Sequence, residues 1–331
     1  MKDLVKRLTE AFGPAGSEEL VREVIAGEVQ GLVDELRTDA LGNLIAFRKG
    51  NGNGKRVMLA AHMDEIGVII TAIDDQGFIR FSNIGGLNPH ALLGKRVVFA
   101  GGTTGVISSE PVDEPKDLKL QKMFIDIGAA DRSRAESQVG IGDMGVFYGP
   151  FQDLGDRVVA KAMDDRIGCA ILVQALRELG SCPHQVWAVF TVQEEVGLRG
   201  ARTSAYGIEP DVGIALDVTR VGDTPKSRTM EVSLGKGAAI KVTDSSLICH
   251  PGLRRHLVEM AKAHQIPHQL EVLEMGGTDA ASIQVARAGV PAGVISIPSR
   301  YIHTPSEMVD MNDVRACVDL LVKTLEGELR F

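Results

Sequence analysis

The sequence predicts an α/β fold: a three-layer α/β/α domain on a mostly parallel sheet, interrupted by a small inserted β-barrel. Three observations carry this. Short apolar runs such as "RVMLAA" (56–61) and "QVWAVFTV" (185–192) read as central strands covered on both faces. After residue 158 such strands alternate with helical patterns, the signature of a parallel sheet flanked by helices. Between about 67 and 157 the texture changes to glycine-punctuated β-rich runs. The expected division is a main domain of residues 1–66 and 158–331 and an inserted barrel of 67–157. A chain of 331 residues is long for one domain, and 44% hydrophobic with 24% charged residues supplies an ordinary core.

The elements follow in order. "DLVKRLTEAF" has helical spacing and is stopped by Gly13, Pro14 and Gly16. Ser17 before "EELVREVIAGEV" predicts an N-cap and a second helix. Alternating residues then break at Leu41-Gly42-Asn43 and turn at the Gly/Asn run 50–54, before the strand 56–61. In the insert, "GVIITAIDDQGFIRFSNIGG", "LLGKRVVFAGGTTGVIS", "MFIDIGA" and "MGVFYG" read as strands, "SRAESQVG" as a helical turn, and "PVDEPKDLK" (111–119) as a mobile loop. Beyond it come a helix at 166–179, strand 185–192, a helix near 199–206 and strand 212–218. Strand 238–243, helix 251–265, strand 268–274, helix 279–288, strand 292–297 and a last helix at about 309–328 complete the alternation.

Composition excludes several functions. A net charge of −8 argues against a nucleic-acid partner, because phosphate binding wants a basic surface. The start "MKDLVKRLTEAFG" is amphipathic and reads as neither signal peptide nor membrane anchor. Cys169, Cys182, Cys249 and Cys317 form no C-x-x-C pair, the pattern of free thiols in a reducing cytoplasm. Aromatics at 4% supply few stacking platforms for sugars or single strands.

Polar residues collect where apolar strands end: His62 and Asp64 after 56–61, Asp164 and Asp165 before a helix, Glu194 and Glu195 after 185–192, Asp217 in "GIALDVT", and His303 in "RYIHTP". Singly, such residues are more often structural than functional. Five strand ends delivering the same residue types to the carboxyl edge of one sheet, where ligands gather, point to a site. Two histidines and several carboxylates without a thiolate suit zinc, cobalt or manganese, and their number exceeds what one ion needs. Two ions sharing a bridging carboxylate are therefore expected. His62 and Asp64 lie two apart, on one side of an extended strand, so Asp64 is placed to orient the imidazole. Of Asp164 and Asp165, one should bridge and the other point away as a helix cap; spacing does not choose between them. Glu194 and Glu195 likewise need different jobs, one ligating and one touching water. The other histidines (His90, His184, His250, His256, His264, His268) fit surface or helix-cap positions.

Taken together, "AAHMDEIG", "KAMDDRIG", "TVQEEVGLRGA", "ALDVT", "GGTDAASI" and "RYIHTPSEM" resemble the tetrahedral (TET) aminopeptidases, relatives of the glutamyl aminopeptidases that sometimes carry an endoglucanase label. The likeness spans effectively the whole chain, with all six motifs in order. It implies two divalent ions, zinc or cobalt, to which the ligand types add manganese as an alternative. Asp164 would bridge them through a cis peptide to Asp165, with His62 and Asp217 on one ion and Glu195 and His303 on the other. Glu194 would be the general base and Asp64 would orient His62, while "GGTD" (276–279) would lie near the substrate. The resemblance further implies peptide substrates cut at the N-terminus and a dodecamer built from dimers through the barrel. A related deacylase or carboxypeptidase is the rival reading. An endoglucanase fits less well, because glycosidases need two carboxyls facing each other across the scissile bond.

Overall fold

The computed structural model describes residues 1–331 and places eleven strands in one sheet. Its centre is four parallel strands, in the order Gln185–Thr191, Arg56–His62, Val212–Thr219 and Ala292–Arg300. Along Arg56–His62 the side chains alternate between two cores. Val57, Leu59 and Ala61 join the larger one, with Leu4, Ile25, Ile171 and Val318 from helices on one face. Met58 and Ala60 join the smaller one on the other face, with Ala201 and Ala205 of Arg199–Ile208 and Ile283 of Asp279–Gln284. A strand buried on both sides has no polar face to spare, which is why it reads as continuously apolar.

The sheet is mixed at its edges. Glu35–Thr38 and Leu44–Arg48 add an antiparallel hairpin on one side. Glu307–Asp310, Arg157–Ala160 and Gln152–Asp153 extend the other side antiparallel, and Ala238–Thr243 pairs antiparallel with Ala292–Arg300 while carrying His268–Val272 in parallel. The hairpin turns at the Leu41-Gly42-Asn43 break, where Asp39 Oδ1 accepts from all three backbone N–H groups. Gly42 has φ of +111° there, a conformation that glycine adopts without steric cost.

Between these halves the chain closes a six-stranded antiparallel barrel, from Gly67–Ile73 to Met144–Phe147. It has its own core, including Val68, Ile79, Val97, Ile107 and Ile125. The expected helical turn is Arg132–Glu136, capped by the Asp131 side chain.

Three expectations shift. The second helix is not capped by Ser17: it starts at Glu19, with Glu18 in the cap position and no side-chain cap. Glu18 is buried and turns instead to accept from the backbone of Gly16 and Gln193. His184 and His256 are buried rather than at the surface. His184 Nδ1 accepts from Lys55 N, so its Nε2 donates to Gly327 O, and both nitrogens are used inside the fold. His250 does cap Pro251–Ala263. No helix is long and apolar enough to cross a membrane.

Candidate active site

Parallel register brings the motif residues to one level at the carboxyl edge of the sheet. His62 lies opposite Thr191, and Ala60 opposite Ala215, an offset that carries His62 and Asp217 forward together. Glu194 and Glu195 follow the end of Gln185–Thr191, where Gln193 takes φ of +55° and Gly197 +123° to reverse the chain. Asp164 stands at the start of Met163–Glu178, joined to Asp165 by a cis peptide bond. His303 sits at φ +64° between Ala292–Arg300 and Glu307–Asp310.

The side chains meet around Asp164, whose two oxygens face different partners. Oδ1 is 3.0 Å from His62 Nε2, and Oδ2 is 3.3 Å from His303 Nε2. His62 Nε2 also lies 4.0 Å from Asp217 Oδ1 and 3.9 Å from Glu194 Oε2, while His303 Nε2 lies 3.4 Å from Glu195 Oε1. The adjacent aspartates, both outside helical backbone geometry, face different surroundings. Asp164 lines a cavity of about 280 Å³, whereas Asp165 is fully buried and caps the helix by accepting from Gly168 N. Gly276 and Gly277 of "GGTD" line the same cavity; Asp279 is buried behind it and accepts from Thr191 Oγ1.

Two buried carboxylates hold the loops in place. Asp64 accepts from Glu194 N (3.0 Å) and Glu195 N (3.1 Å), fixing the turn that carries both glutamates. Its approach to His62 is of two kinds: the imidazole Nδ1 is 3.1 Å from the Asp64 carbonyl oxygen and 3.5 Å from its carboxylate. Glu307, which sequence reasoning passed over, accepts from His303 N (2.7 Å) and Asp164 N (2.9 Å). Only its position four residues after His303 in "RYIHTPSEM" hinted at it. The barrel also touches the site. A Cβ at Gly86 would stand 2.9 Å from His303 Nδ1, and one at Gly85 2.9 Å from Glu195 Oε2, so the glycine pair after Ile79–Ile84 permits the approach.

The family model of the M42 glutamyl aminopeptidases matches residues 42–320. The chain belongs to the M42 glutamyl aminopeptidase family. It is 51% identical to a relative from Acetivibrio thermocellus named as an aminopeptidase, over 98% of both chains. An aminopeptidase structure from the archaeon Desulfurococcus kamchatkensis superposes with a TM-score of 0.95 at 42% identity, covering 98% of this chain and 94% of that one. The TET1 peptidase of Pyrococcus horikoshii, described as assembling into a tetrahedron or a large octahedral shell, gives 0.86 at 34% identity over 99% of each. This M42 chain is therefore a peptidase.

The electrostatics of this peptidase site fit a divalent metal. Asp164, Asp165, Glu194, Glu195 and Asp217 are gathered about two histidines, and no lysine or arginine pairs with any of them. Burial, together with neighbouring carboxylates, pushes Asp165, Glu194 and Asp217 well above the usual carboxylate range. For Asp164 burial is outweighed by hydrogen bonds from His303 and His62, which hold it low. Burial is likewise outweighed at His303, where Asp164 and Glu195 push the imidazole up to about 12. Glu195 Oε1 and Asp165 Oδ2 are buried without a hydrogen-bond donor. Surplus negative charge with unsatisfied oxygens is what a dication neutralises. Ligand atoms of His62, Asp164 and Glu195 lie within 4.8 Å of one another, as do those of His62, Asp165 and Asp217. Asp164 faces the cavity, whereas one oxygen of Asp165, Oδ1, is taken by Gly168 N.

Proposed function

We propose that this chain is a dinuclear, metal-dependent aminopeptidase that removes N-terminal residues from peptides. The observation that carries the reading is the division of Asp164: one oxygen on the His62 side, the other on the His303 side. In this reading Asp164 would be shared between two ions, zinc or cobalt with manganese as the alternative. His62 and Asp217 would help hold one, and Glu195 and His303 the other. Bound there, such ions would supply polarisation of the scissile carbonyl and a water of lowered pKa.

Glu194 supplies the proton transfers. Its carboxylate reaches the cavity, lies 3.9 Å from His62 Nε2 and makes no hydrogen bond, which leaves it free to take a proton and give it back. It accepts the proton of the attacking water and returns it to the leaving amine. Asp64 keeps the Glu194–Glu195 turn and the His62 ring in register.

The assembly we assign is a homo-oligomer, a dodecamer built from dimers through the barrel. The tetrahedral assembly described for the Pyrococcus horikoshii relative supports it, as do barrel residues Leu93, Val106 and Ile141, exposed at 44%, 44% and 65%. Sedimentation should give about twelve times the chain mass. Four buried free cysteines support a cytoplasmic setting.

The deciding experiment is a panel of aminoacyl chromogenic substrates assayed on metal-free protein and after adding Zn²⁺, Co²⁺ or Mn²⁺. Release of the free N-terminal residue, lost on chelation and restored by metal, is the expected result. Turnover confined to N-acylated substrates would replace the reading with a deacylase.

A further inference from the structure

Beside the catalytic cavity lies a second one of about 320 Å³, lined by Arg220, Ser227, Arg228, Leu273, Glu274 and Met275 among others. Arg220, Leu273 and Met275 line both cavities, so the two share a wall. Arg220 is the sole lysine or arginine of the catalytic cavity, whose other charged residues are His62, Asp164, Glu194, Glu195, Asp217 and His303. The second cavity adds Arg228, held beside Met275 by a contact to its sulfur, and one carboxylate, Glu274. Both guanidinium groups are exposed and neither takes part in an ion pair within the chain. This is a local excess of positive charge on a protein of net charge −8, against a cluster that repels anions.

The spacing gives the excess a use. Arg220 follows Asp217 by three residues at the end of the strand Val212–Thr219, roughly 10 Å along the chain. An extended tripeptide spans about the same distance, roughly 10 Å. A peptide whose amino end lies at the His62–Asp217–Glu195 cluster, and which runs along the wall shared by the two cavities, would bring its third residue to the arginines. A guanidinium is the side chain best matched to a carboxylate, which it grips through two parallel N–H donors.

We propose that Arg220 and Arg228 form a carboxylate subsite that holds the C-terminal end of short peptides, tripeptides best, while their amino end is processed at the cluster. The proposal rests on the aminopeptidase reading above. It makes the protein a finisher of short peptides, acting after an endopeptidase-type reaction has cut longer chains. What distinguishes such products from a long chain is a free carboxylate only about three residues from the amino end.

The test compares kcat/KM for a tripeptide as its free acid and as its C-terminal amide, alongside an aminoacyl anilide that has no carboxylate. The free acid should be preferred by about tenfold, the effect of one charge-assisted contact made on binding. The preference should shrink as salt is raised. In the double variant Arg220→Met, Arg228→Met the acid-to-amide ratio should fall to near one, whereas Arg37→Met, on the exposed strand Glu35–Thr38, should leave the ratio as in the wild type. An amidated tripeptide ending in glutamate separates the two sources of a carboxylate. It matches the free acid if a side chain serves, and the plain amide if only the terminus does. Equal rates for all three peptides with the anilide still cleaved would overturn the subsite and leave the aminopeptidase standing, as would a preference that survives in the double variant. Failure to cleave any of these substrates in the presence of metal would overturn both. The wild-type comparison needs no variant, so a folding defect in the double variant does not blunt it.

Discussion

Two clusters of buried charge both draw on the stretches 62–65 and 161–166, and they differ in balance. In one, Glu65 receives Lys161 Nζ at 2.7 and 2.8 Å and Arg166 at 3.3 Å. Arg166 also donates to the carbonyls of Leu8, Ala11 and Gly13, so the first helix and its following turn are pinned to the helix Met163–Glu178. In the other, His62, Asp164, Asp217, Glu194, Glu195 and His303 leave carboxylates in excess beside an open cavity. A buried charge that meets its partners within the fold is architecture. One that does not is waiting for something from outside, here metal and substrate.

Breaking each cluster should therefore fail differently. The largest effect belongs to the unbalanced one. Glu194→Gln should lower kcat by at least ~10²-fold while metal content stays at the wild-type level, because it removes the proton carrier and no ligand. In the balanced cluster Lys161→Met should cost about 3 kcal/mol in urea denaturation, with metal stoichiometry unchanged, since it strips a charge partner from buried Glu65. Glu307→Gln sharpens the contrast between ligands and their supports. Its amide must turn an NH₂ toward the N–H of either Asp164 or His303, so metal affinity should drop by roughly tenfold while the fold persists.

The smallest effect is a pH dependence at Glu18, which holds the turn before Glu194 through Gln193 N. Burial pushes its carboxyl up to about 7, against which the N–H groups of Gly16 and Gln193 work only in part. A raised carboxyl means that the folded state keeps a proton the unfolded chain has lost. Stability from this group is therefore highest below about 4.5 and declines as pH rises to about 7. Glu18→Gln should remove that slope and gain on the order of 1–2 kcal/mol relative to the parent at pH 8, but little at pH 5.

The parts of the molecule legible in sequence are those whose physics is local. Strands such as Arg56–His62 must be apolar on both faces, and their ends must present polar residues to the cavity, so the central sheet and the ligand candidates are visible together. The antiparallel edge strands are less visible, because short, partly polar segments such as Gln152–Asp153 take their direction from connections and not from composition. Glu307 and Glu18 lie in polar surroundings where an acidic residue looks solvated; only the fold buries them. The choice between Asp164 and Asp165 was open for the same reason. It turns on which one the first helical turn captures, and Gly168 N captures Asp165.

The central claim is that the unbalanced cluster is a site for two ions that share Asp164. Titrating metal-free protein with Zn²⁺ in a calorimeter tests it most directly. The account predicts two equivalents bound per chain, falling to one in His303→Ala. A single equivalent in the wild type, or two still bound in the His303 variant, would contradict it.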